Sequence, residues 1–225
     1  MTFTKTGADD FVITRRRKKY RFTRFNELAN CFHLDEWEKV HQKYLSNGSV
    51  VAEIGAGSAL FLVEQAKLFP DKVFVAVDIK SDRLYRGGRA ADEADIYNIY
   101  FVRSDIARLS EVFPVHSVDE LWLTFSDPYP RNSDRRHRLT HERFLKLYEK
   151  VLSADGVLHF KTDSDGLFDF SLDSLRQSHW AITEQTRDLH GSDLAENYKV
   201  MTSYEERFVS EGLKIKFLSA VPPKK

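Results

Sequence analysis

The chain has 225 residues, equal numbers of basic and acidic side chains, and a single cysteine, Cys31. This length suits one domain with a substantial core, and one cysteine excludes a disulfide framework or a cysteine-rich metal site. The sequence holds no apolar run of the roughly 18 residues that a membrane span needs, and no secretory signal at its N-terminus. We therefore expect a cytoplasmic protein without a metal or a membrane partner, and a monomer or at most a weak homodimer.

The charges are segregated along the chain although they sum to zero. Residues 1–25 carry eight basic and two acidic side chains, and residues 131–143 carry five basic and two acidic ones. Clustered positive charge steers anions toward a surface even when the whole chain is neutral. The pattern favours a nucleic-acid partner, and it predicts a basic tail over residues 1–25 followed by one domain over residues 26–225.

The predicted elements alternate between strand and helix after an N-terminal helical cover. Residues 26–49 are predicted to form that cover, with a helix from Asn26 to Leu45 packed on the domain. The alternation from residue 50 is typical of a mostly parallel α/β sheet with helices on both faces. The predicted strands are Val50–Ile54, Val73–Val77, Ile99–Val102, Leu121–Phe125, Val157–Phe160, Ala181–Thr186 and Lys214–Leu218, and the predicted helices between them are Ala59–Phe69, Ser81–Glu93, Thr140–Leu152 and Leu167–Leu175.

Acidic residues or glycine turns stand at the ends of the first predicted strands. The first strand contains Glu53 and leads into Gly55 and Gly57, the second is followed by Asp78, and the third by Asp105. Glycines let the backbone approach a ligand, and an acid about 20 residues after such a loop accepts hydrogen bonds from ribose hydroxyls. Asp105 is placed to meet an adenine amino group. Since no third glycine or P-loop lysine follows, the pattern favours S-adenosyl-L-methionine over a dinucleotide or ATP.

The fourth predicted strand runs into the turn Asp127-Pro128-Tyr129-Pro130. Each proline fixes φ and restrains the residue before it, so the backbone leaves the sheet stiffly and holds Asp127 at the edge where open α/β sheets bind ligands. The basic segment Arg131 to Arg138 follows directly. By itself this stretch is as typical of a proline-rich surface turn as it is of a ligand-binding site. Together with the other strand-end acids, it predicts a carboxylate between a cofactor and a polyanion.

These motifs together resemble the bacterial tRNA (guanine-N7)-methyltransferases, from about residue 50 to the C-terminus. The resemblance is carried by Glu53-Ile54-Gly55-x-Gly57, Asp78, Asp105, the turn from Phe125 to Pro130 with Arg138-Leu139 after it, Phe160-Lys161-Thr162-Asp163 and Thr202-Ser203-Tyr204-Glu205. It implies a Rossmann-like class I methyltransferase with a seven-stranded, mostly parallel sheet. It also implies methylation of N7 of guanine 46, in the variable loop of tRNA.

The resemblance further implies roles for individual residues. S-adenosyl-L-methionine would be bound by Glu53, Gly55, Gly57, Asp78, Asp105 and Asp127, of which Asp127 would also be catalytic. The substrate guanine would be held by Arg131, Asp163, Thr202, Ser203, Tyr204 and Glu205. The tRNA would be contacted by Ser133, Asp134, Arg135, Arg136, His137 and Arg138, with the arginines binding phosphates.

The chain departs from the family pattern at several of these positions. Ala59 stands where a third glycine is usual and Asp78 where a glutamate is usual. Ser126, Tyr129 and Arg131 replace a proline, a tryptophan and a lysine. Because most of the departures fall in and after the proline turn, they bear mainly on RNA binding and base specificity.

The implied reaction needs alignment and charge complementarity more than acid–base chemistry. Guanine N7 carries an unprotonated lone pair, so it can attack the sulfonium methyl group without prior loss of a proton. Asp127 and Asp163 would face the N1–H and amino groups of the base, and Tyr129 would stack on it. His159 and Lys161 are expected to be structural, with one of them turned away from the site.

Three other functions are consistent with parts of the sequence. Ser126-Asp127-Pro128-Tyr129 also resembles the Asp-Pro-Pro-Tyr loop of methyltransferases that act on exocyclic amino or amide nitrogens. A second alternative is a non-catalytic RNA-binding module that has kept the fold. A third is a methyltransferase with a small-molecule acceptor, which the basic segments disfavour. The nucleoside that becomes methylated, or an absence of cofactor binding, would distinguish them.

Overall fold

The computed structural model describes residues 24–224, which fold around one eight-stranded sheet. The predicted basic tail over residues 1–25 therefore lies outside the described residues except for Arg24 and Phe25. Phe25 is fully buried, so the domain includes at least the last residue assigned to the tail.

Within these residues the strands are β1 (Cys31–His33), β2 (Val50–Ile54), β3 (Val73–Asp78), β4 (Ile99–Arg103), β5 (Val118–Thr124), β6 (Leu152–Thr162), β7 (Ala181–Thr186) and β8 (Lys216–Val221). The helices are α1 (Leu34–Leu45), α2 (Leu60–Leu68), α3 (Ser81–Glu93), α4 (Leu109–Val112), α5 (Glu142–Val151), α6 (Asp165–Gln177) and α7 (Ser203–Ser210). Short 3-10 turns cover Ile106–Arg108, Asn132–His137 and Glu196–Lys199. None of the helices in the described part of the chain is long and apolar enough to cross a membrane.

The strands are ordered β1-β4-β3-β2-β5-β6-β8-β7, and β8 runs antiparallel to both of its neighbours while the remaining pairs are parallel. The predicted Rossmann-like α/β architecture is confirmed. The sheet has one strand more than the seven predicted, because Cys31–His33 pairs with Phe101–Arg103 at its edge. The predicted helix from Asn26 to Leu45 is therefore wrong over residues 26–33, because the helix begins only at Leu34 and Cys31–His33 form a strand. A strand this short depends on its distant pairing partner and has no local period to reveal it.

Alternation along the central strands gives the sheet two apolar faces. Ala52 and Val75 belong to a core shared with α1, α4, α5 and α6, whereas Val51 and Phe74 belong to a core shared with α2 and α3. Successive side chains of a strand point to opposite faces, so a strand buried on both sides is apolar throughout. The candidate site lies at the carboxyl ends of the strands, where the core residues Ile54 and Val77 form part of its lining.

The two glycines of α3, Gly87 and Gly88, permit a close approach to the sheet. A Cβ added to Gly87 would clash with the carbonyl oxygen of Ser58 and lie 2.6 Å from a ring carbon of Phe101. A Cβ added to Gly88 would lie 2.5 Å from the sulfur of Cys31. Helix propensity alone makes these glycines unfavourable, but packing of α3 against β1 and β4 requires them.

We expect Gly87→Ala to destabilise the protein by about 1–3 kcal/mol, because the overpacking outweighs the gain of about 1 kcal/mol in helix propensity. Gly166→Ala, in the first turn of α6, is the matched control, since a Cβ there meets nothing within 4 Å. It should stabilise by about 0.4–1 kcal/mol. Urea unfolding followed by tryptophan fluorescence measures both changes, and a Gly87→Ala variant as stable as the wild type would contradict the packing argument.

Candidate active site

A cavity of about 450 Å³ lies at the carboxyl ends of β2, β3, β4 and β5. Strand β2 pairs with β3 on one side and with β5 on the other, so the connections that leave β2 (to β3) and β5 (to β6) run to opposite sides of this point. Ligands of open α/β sheets bind in the crevice that such a reversal of strand order creates. Four of the predicted cofactor residues line the cavity, namely Gly55, Asp78, Asp105 and Asp127.

The glycine loop after β2 is fixed by the carboxylate of Asp78. Gly57 donates its backbone N–H to one carboxylate oxygen of Asp78 at 2.9 Å, and the backbone N–H of Lys80 donates to the other oxygen at 2.8 Å. Gly55 and Gly57 have φ of 70° and 56°, the left-handed region in which glycine is favoured. Ala59, which replaces the family's third glycine, also has a left-handed φ of 52°. Each carboxylate oxygen has the capacity to accept a further hydrogen bond, so Asp78 can hold the loop and a ribose hydroxyl together.

Asp105 caps the 3-10 turn that follows β4. Its Oδ1 accepts a hydrogen bond from the backbone N–H of Ala107 at 2.8 Å, while the side chain stays exposed to the cavity. Its neighbour Ser104 is buried and also lines the cavity. The cap fixes the orientation of the carboxylate at the cavity, and the adenine contact stays a prediction.

The proline turn after β5 carries Asp127 at the rim of the cavity. Phe125 and Tyr129, which flank it, have φ of 47° and 41°. Bulky residues seldom adopt this conformation, and such strain clusters at functional sites. Asp127 is exposed, and Tyr129 lies with its ring centroid 5.5 Å from that of His137 in the basic segment. The turn therefore borders both the cavity and the basic segment, as the sequence predicts.

Glu53 lies beneath the glycine loop and is absent from the cavity lining. Its side chain is 1% exposed, accepts a hydrogen bond from the hydroxyl of Thr124, and leaves Oε2 without a hydrogen-bond partner among the described residues. Burial raises the pKa of Glu53 to about 8, although the Thr124 hydrogen bond and the charge of Lys161 favour its ionised form. Its predicted contact with the cofactor stays a prediction.

A buried ion pair joins β6 to α7 on the same face of the sheet. The ammonium group of Lys161 lies 3.1 and 3.2 Å from the two carboxylate oxygens of Glu205, donates to the carbonyl of Val200 at 3.1 Å, and both side chains are fully buried. His190 contacts the same carboxylate at 2.9 Å. Burial lowers the pKa of Lys161, and the charge of Glu205 opposes that shift. His159 points to this face too, because it is two residues from Lys161, so the expectation that one of them turns away is wrong.

Except for Arg131, which follows the proline turn, the predicted guanine-binding residues lie on the two segments that this ion pair connects. The hydroxyl of Thr202 caps α7 by accepting a hydrogen bond from the backbone N–H of Glu205 at 3.2 Å, and Ser203 and Tyr204 are the first residues of the helix. Asp163 follows β6, and the buried Lys216 donates to its carbonyl oxygen at 2.9 Å. Helix α7 reaches the proline turn through Phe208, whose ring centroid is 5.8 Å from that of Phe125.

The basic segment forms the 3-10 turn Asn132–His137 next to the proline turn. Most of its predicted RNA-binding side chains are exposed, namely Ser133, Arg135, Arg136 and His137, and Asp134 is half-buried. Arg131, predicted to hold the guanine, is exposed as well. Arg138 differs from them, because its side chain is buried. The exposed members form a positive surface that a phosphate backbone can reach.

Sequence reasoning missed the basic and apolar side chains of the cavity. Lys80, Arg83 and Arg143 line it and offset the charge of the three aspartates, and Leu139 and Phe144 supply apolar walls. Their place in the sequence could have indicated Lys80 and Arg83 as cavity-lining residues, because both stand at the start of α3, directly after Asp78. Among residues 24–224, no group of three or more histidine, cysteine or acidic side chains is arranged to hold a metal ion.

The strand order, with antiparallel β8 inserted beside β6, and the cavity with its strand-end aspartates define a class I methyltransferase. A protein-family model described as "Putative methyltransferase" matches residues 47–218. The chain is 38% identical to the tRNA (guanine-N(7)-)-methyltransferase of Brevibacillus brevis over 82% of this chain and 84% of that protein. It is 32% identical to the protein of the same name from Clostridioides difficile over 90% of this chain and 96% of that protein.

A solved structure, that of the 16S rRNA methyltransferase KamB, shares the fold at a TM-score of 0.61 and 17% identity, covering 81% of this chain and 93% of that one. The fold and the relatives agree, and the family resemblance read from the sequence is confirmed. The chain belongs to the tRNA (guanine-N7)-methyltransferase family.

The buried carboxyl group of Glu53 makes stability depend on pH. Its pKa is about 8 in the folded protein and near 4.5 when exposed, so the folded state retains a proton that the unfolded chain releases. The resulting stability is complete below about pH 4.5 and is lost as pH rises through about 8. We expect the wild type to lose up to about 1.4 kcal/mol of unfolding free energy per pH unit in this window relative to Glu53→Gln.

Urea unfolding of both proteins between about pH 5 and pH 9 measures this difference. Glu64→Gln, at an exposed position of α2, controls for the loss of a carboxylate as such. Parallel pH profiles for the wild type and Glu53→Gln would contradict a buried, protonated Glu53.

Proposed function

We propose that this protein transfers the methyl group of S-adenosyl-L-methionine to N7 of guanine in tRNA, at position 46 of the variable loop. The observation that carries the proposal is the position of Asp127, which borders the cofactor-sized cavity on one side and an exposed basic segment on the other. The membership of a family with this printed activity supports it. A tRNA substrate also fits a cytoplasmic protein.

The cavity suits S-adenosyl-L-methionine better than a phosphate-bearing nucleotide. The carboxylates of Asp78 and Asp105 face it, and they accept hydrogen bonds from ribose hydroxyls and an adenine amino group. The half-exposed Gly57 amide is already bonded to Asp78, so the loop offers less to an anion than a phosphate-binding loop does. Bound here, the cofactor would supply an electrophilic methyl group on a sulfonium cation, which suits the carboxylate of Asp127.

The residues of the chain hold the guanine and balance its charge. Methyl transfer to N7 would leave positive charge on the guanine ring and an uncharged thioether on the cofactor, and no proton would need to be removed first. Asp127, at the rim of the cavity, and Asp163, after β6, accept hydrogen bonds from the Watson–Crick edge of the base and stabilise this charge. Tyr129 stacks on the ring. Arg131 and the start of α7 at Thr202, Ser203 and Tyr204 close the site around the base.

Glu205 acts differently from the rest of its segment in this proposal. Both of its carboxylate oxygens are bonded inside the protein, to Lys161 and His190, so it fixes α7 against β6 rather than holding the base. Breaking a buried pair of this kind leaves an uncompensated charge and costs about 3–5 kcal/mol. The contact of Glu205 with guanine that the family resemblance implies is therefore the weakest of the substrate assignments.

The exposed members of the basic segment bind the tRNA backbone. Arg135 and Arg136 have exposed guanidinium groups, which pair with phosphates and release counterions. Ser133 donates to Asp134 at 3.0 Å, which orients the turn rather than the RNA. The basic residues before residue 24 lie outside the described residues, and they extend the positive charge that the sequence offers to RNA.

We expect Asp127→Ala to lower kcat for tRNA methylation by about 100-fold or more, because removal of one group that stabilises transition-state charge costs about 10²–10³. The fold should be kept, since Asp127 is exposed. Single-turnover kinetics with labelled cofactor measure the loss, and circular dichroism checks the fold. Asp155→Ala, an exposed aspartate near the start of β6, should behave as wild type. Unchanged turnover in Asp127→Ala would remove Asp127 from the mechanism.

The decisive experiment is mass mapping of nucleosides after incubation of the protein with unmodified tRNA and labelled S-adenosyl-L-methionine. The proposal requires 7-methylguanosine at position 46 and its absence with a tRNA in which that guanine is replaced. Methylation of an exocyclic amino group would instead support the amino-group methyltransferase reading. A failure of calorimetric titration to detect cofactor binding would support a non-catalytic RNA-binding module.

A further inference from the structure

Arg138 ends the basic segment, but its side chain turns into the protein. The residue is 6% exposed, whereas its neighbours Arg135 and Arg136 are exposed. Its Nε donates to the carbonyl oxygen of Pro128 at 2.9 Å, and its Nη2 donates to the carbonyl oxygen of Tyr129 at 3.0 Å. The guanidinium carbon also lies 4.5 Å from the ring centroid of Phe170 on α6. Both carbonyls belong to the proline turn.

The proline turn needs support from outside its own backbone. Pro128 and Pro130 have no N–H group to donate, and Phe125 and Tyr129 hold left-handed conformations that cost free energy. Such conformations persist only where the surrounding structure fixes them. The two hydrogen bonds from Arg138 reach the carbonyl groups of Pro128 and Tyr129, directly after Asp127 in the chain.

We infer that Arg138 is a positioning residue for methyl transfer. Its guanidinium group clamps the turn from Asp127 to Pro130, and the clamp sets where the carboxylate of Asp127 and the ring of Tyr129 stand at the cavity. The catalytic part of this inference rests on the proposed function. The structural part does not, because Asp127 and Tyr129 line the cofactor cavity whatever molecule accepts the methyl group.

Lysine cannot replace Arg138 in this role. The clamp uses two donors of one planar group, aimed at two successive carbonyl oxygens, and an ammonium group on a flexible stem does not reproduce that fork. A phosphate contact, by comparison, depends mainly on the positive charge, which lysine keeps. Arg138→Lys therefore separates the two roles.

The test compares Arg138→Lys and Arg138→Ala with the wild type in one set of assays. These are kcat at saturating tRNA, the salt dependence of tRNA binding, and the affinity for S-adenosyl-L-methionine by calorimetry. We expect both variants to lower kcat by about 10- to 100-fold, since displacement of a reacting group by about 1 Å has effects of this size. Cofactor affinity should fall several-fold, and the salt dependence of tRNA binding should match the wild type.

Three further variants serve as controls. Arg135→Ala and Arg136→Ala, at exposed positions of the same segment, should each weaken tRNA binding and reduce the slope of log K against log salt by about 1. Arg89→Lys, at an exposed position of α3, should leave all three measurements unchanged. If Arg138→Ala does not fold, Arg138→Lys with an unchanged melting temperature carries the comparison.

The inference is overturned if Arg138→Lys matches the wild type in kcat and cofactor affinity, or if Arg138→Ala lowers the salt slope as the exposed arginines do. Failure of the wild type to methylate tRNA would instead overturn the proposed function. In that case the cofactor affinities of the Arg138 variants still decide whether the side chain holds the turn.

Discussion

The register of the parallel strands is the constraint on which the site depends. Each acid that faces the cavity stands at or just beyond the end of a strand, so the pairing of β2 with β3 and β5 fixes the positions of Asp78 and Asp127 relative to the glycine loop. A slip of one residue would turn every side chain of a strand to the other face. The hydrogen bond from the N–H of Gly55 to the carbonyl of Val77, at 2.8 Å, extends this register into the loop itself.

A layer of buried polar groups supports the site from one face of the sheet. Glu53, Thr124 and Lys161 project from β2, β5 and β6 to the same side, and Glu205 meets them from α7. Buried charges are costly unless they are paired and hydrogen-bonded, so this layer ties α7 to the sheet in one arrangement. The proline turn contacts α7 at the edge of this layer, where Phe125 packs against Phe208. Arg138 holds the turn separately, through hydrogen bonds to the carbonyl groups of Pro128 and Tyr129.

Local sequence patterns were sufficient to predict the acidic residues that face the cavity. They did not predict the buried side chains that support the site. Asp78, Asp105 and Asp127 are marked by strand ends, glycines and prolines, which act over a few residues. The burial of Glu205 and Arg138 depends on partners far along the chain or on the fold of the turn, and a charged segment gives no local sign that one member points inward. β1 was missed for the same reason, because its three residues become a strand only through pairing with β4.

The same short strand limits the strand edge that this side of the sheet exposes. A long strand at the edge of a sheet exposes a row of unpaired N–H and C=O groups, which invites edge-to-edge aggregation. Here β4 is covered by β1, and the outermost ladder offers only the residues Cys31–His33 before the chain turns into α1. A chain shortened to begin at Leu34 would uncover the apolar strand Ile99–Arg103 as a new edge. The N-terminal cover thus shields this edge as well as completing the sheet.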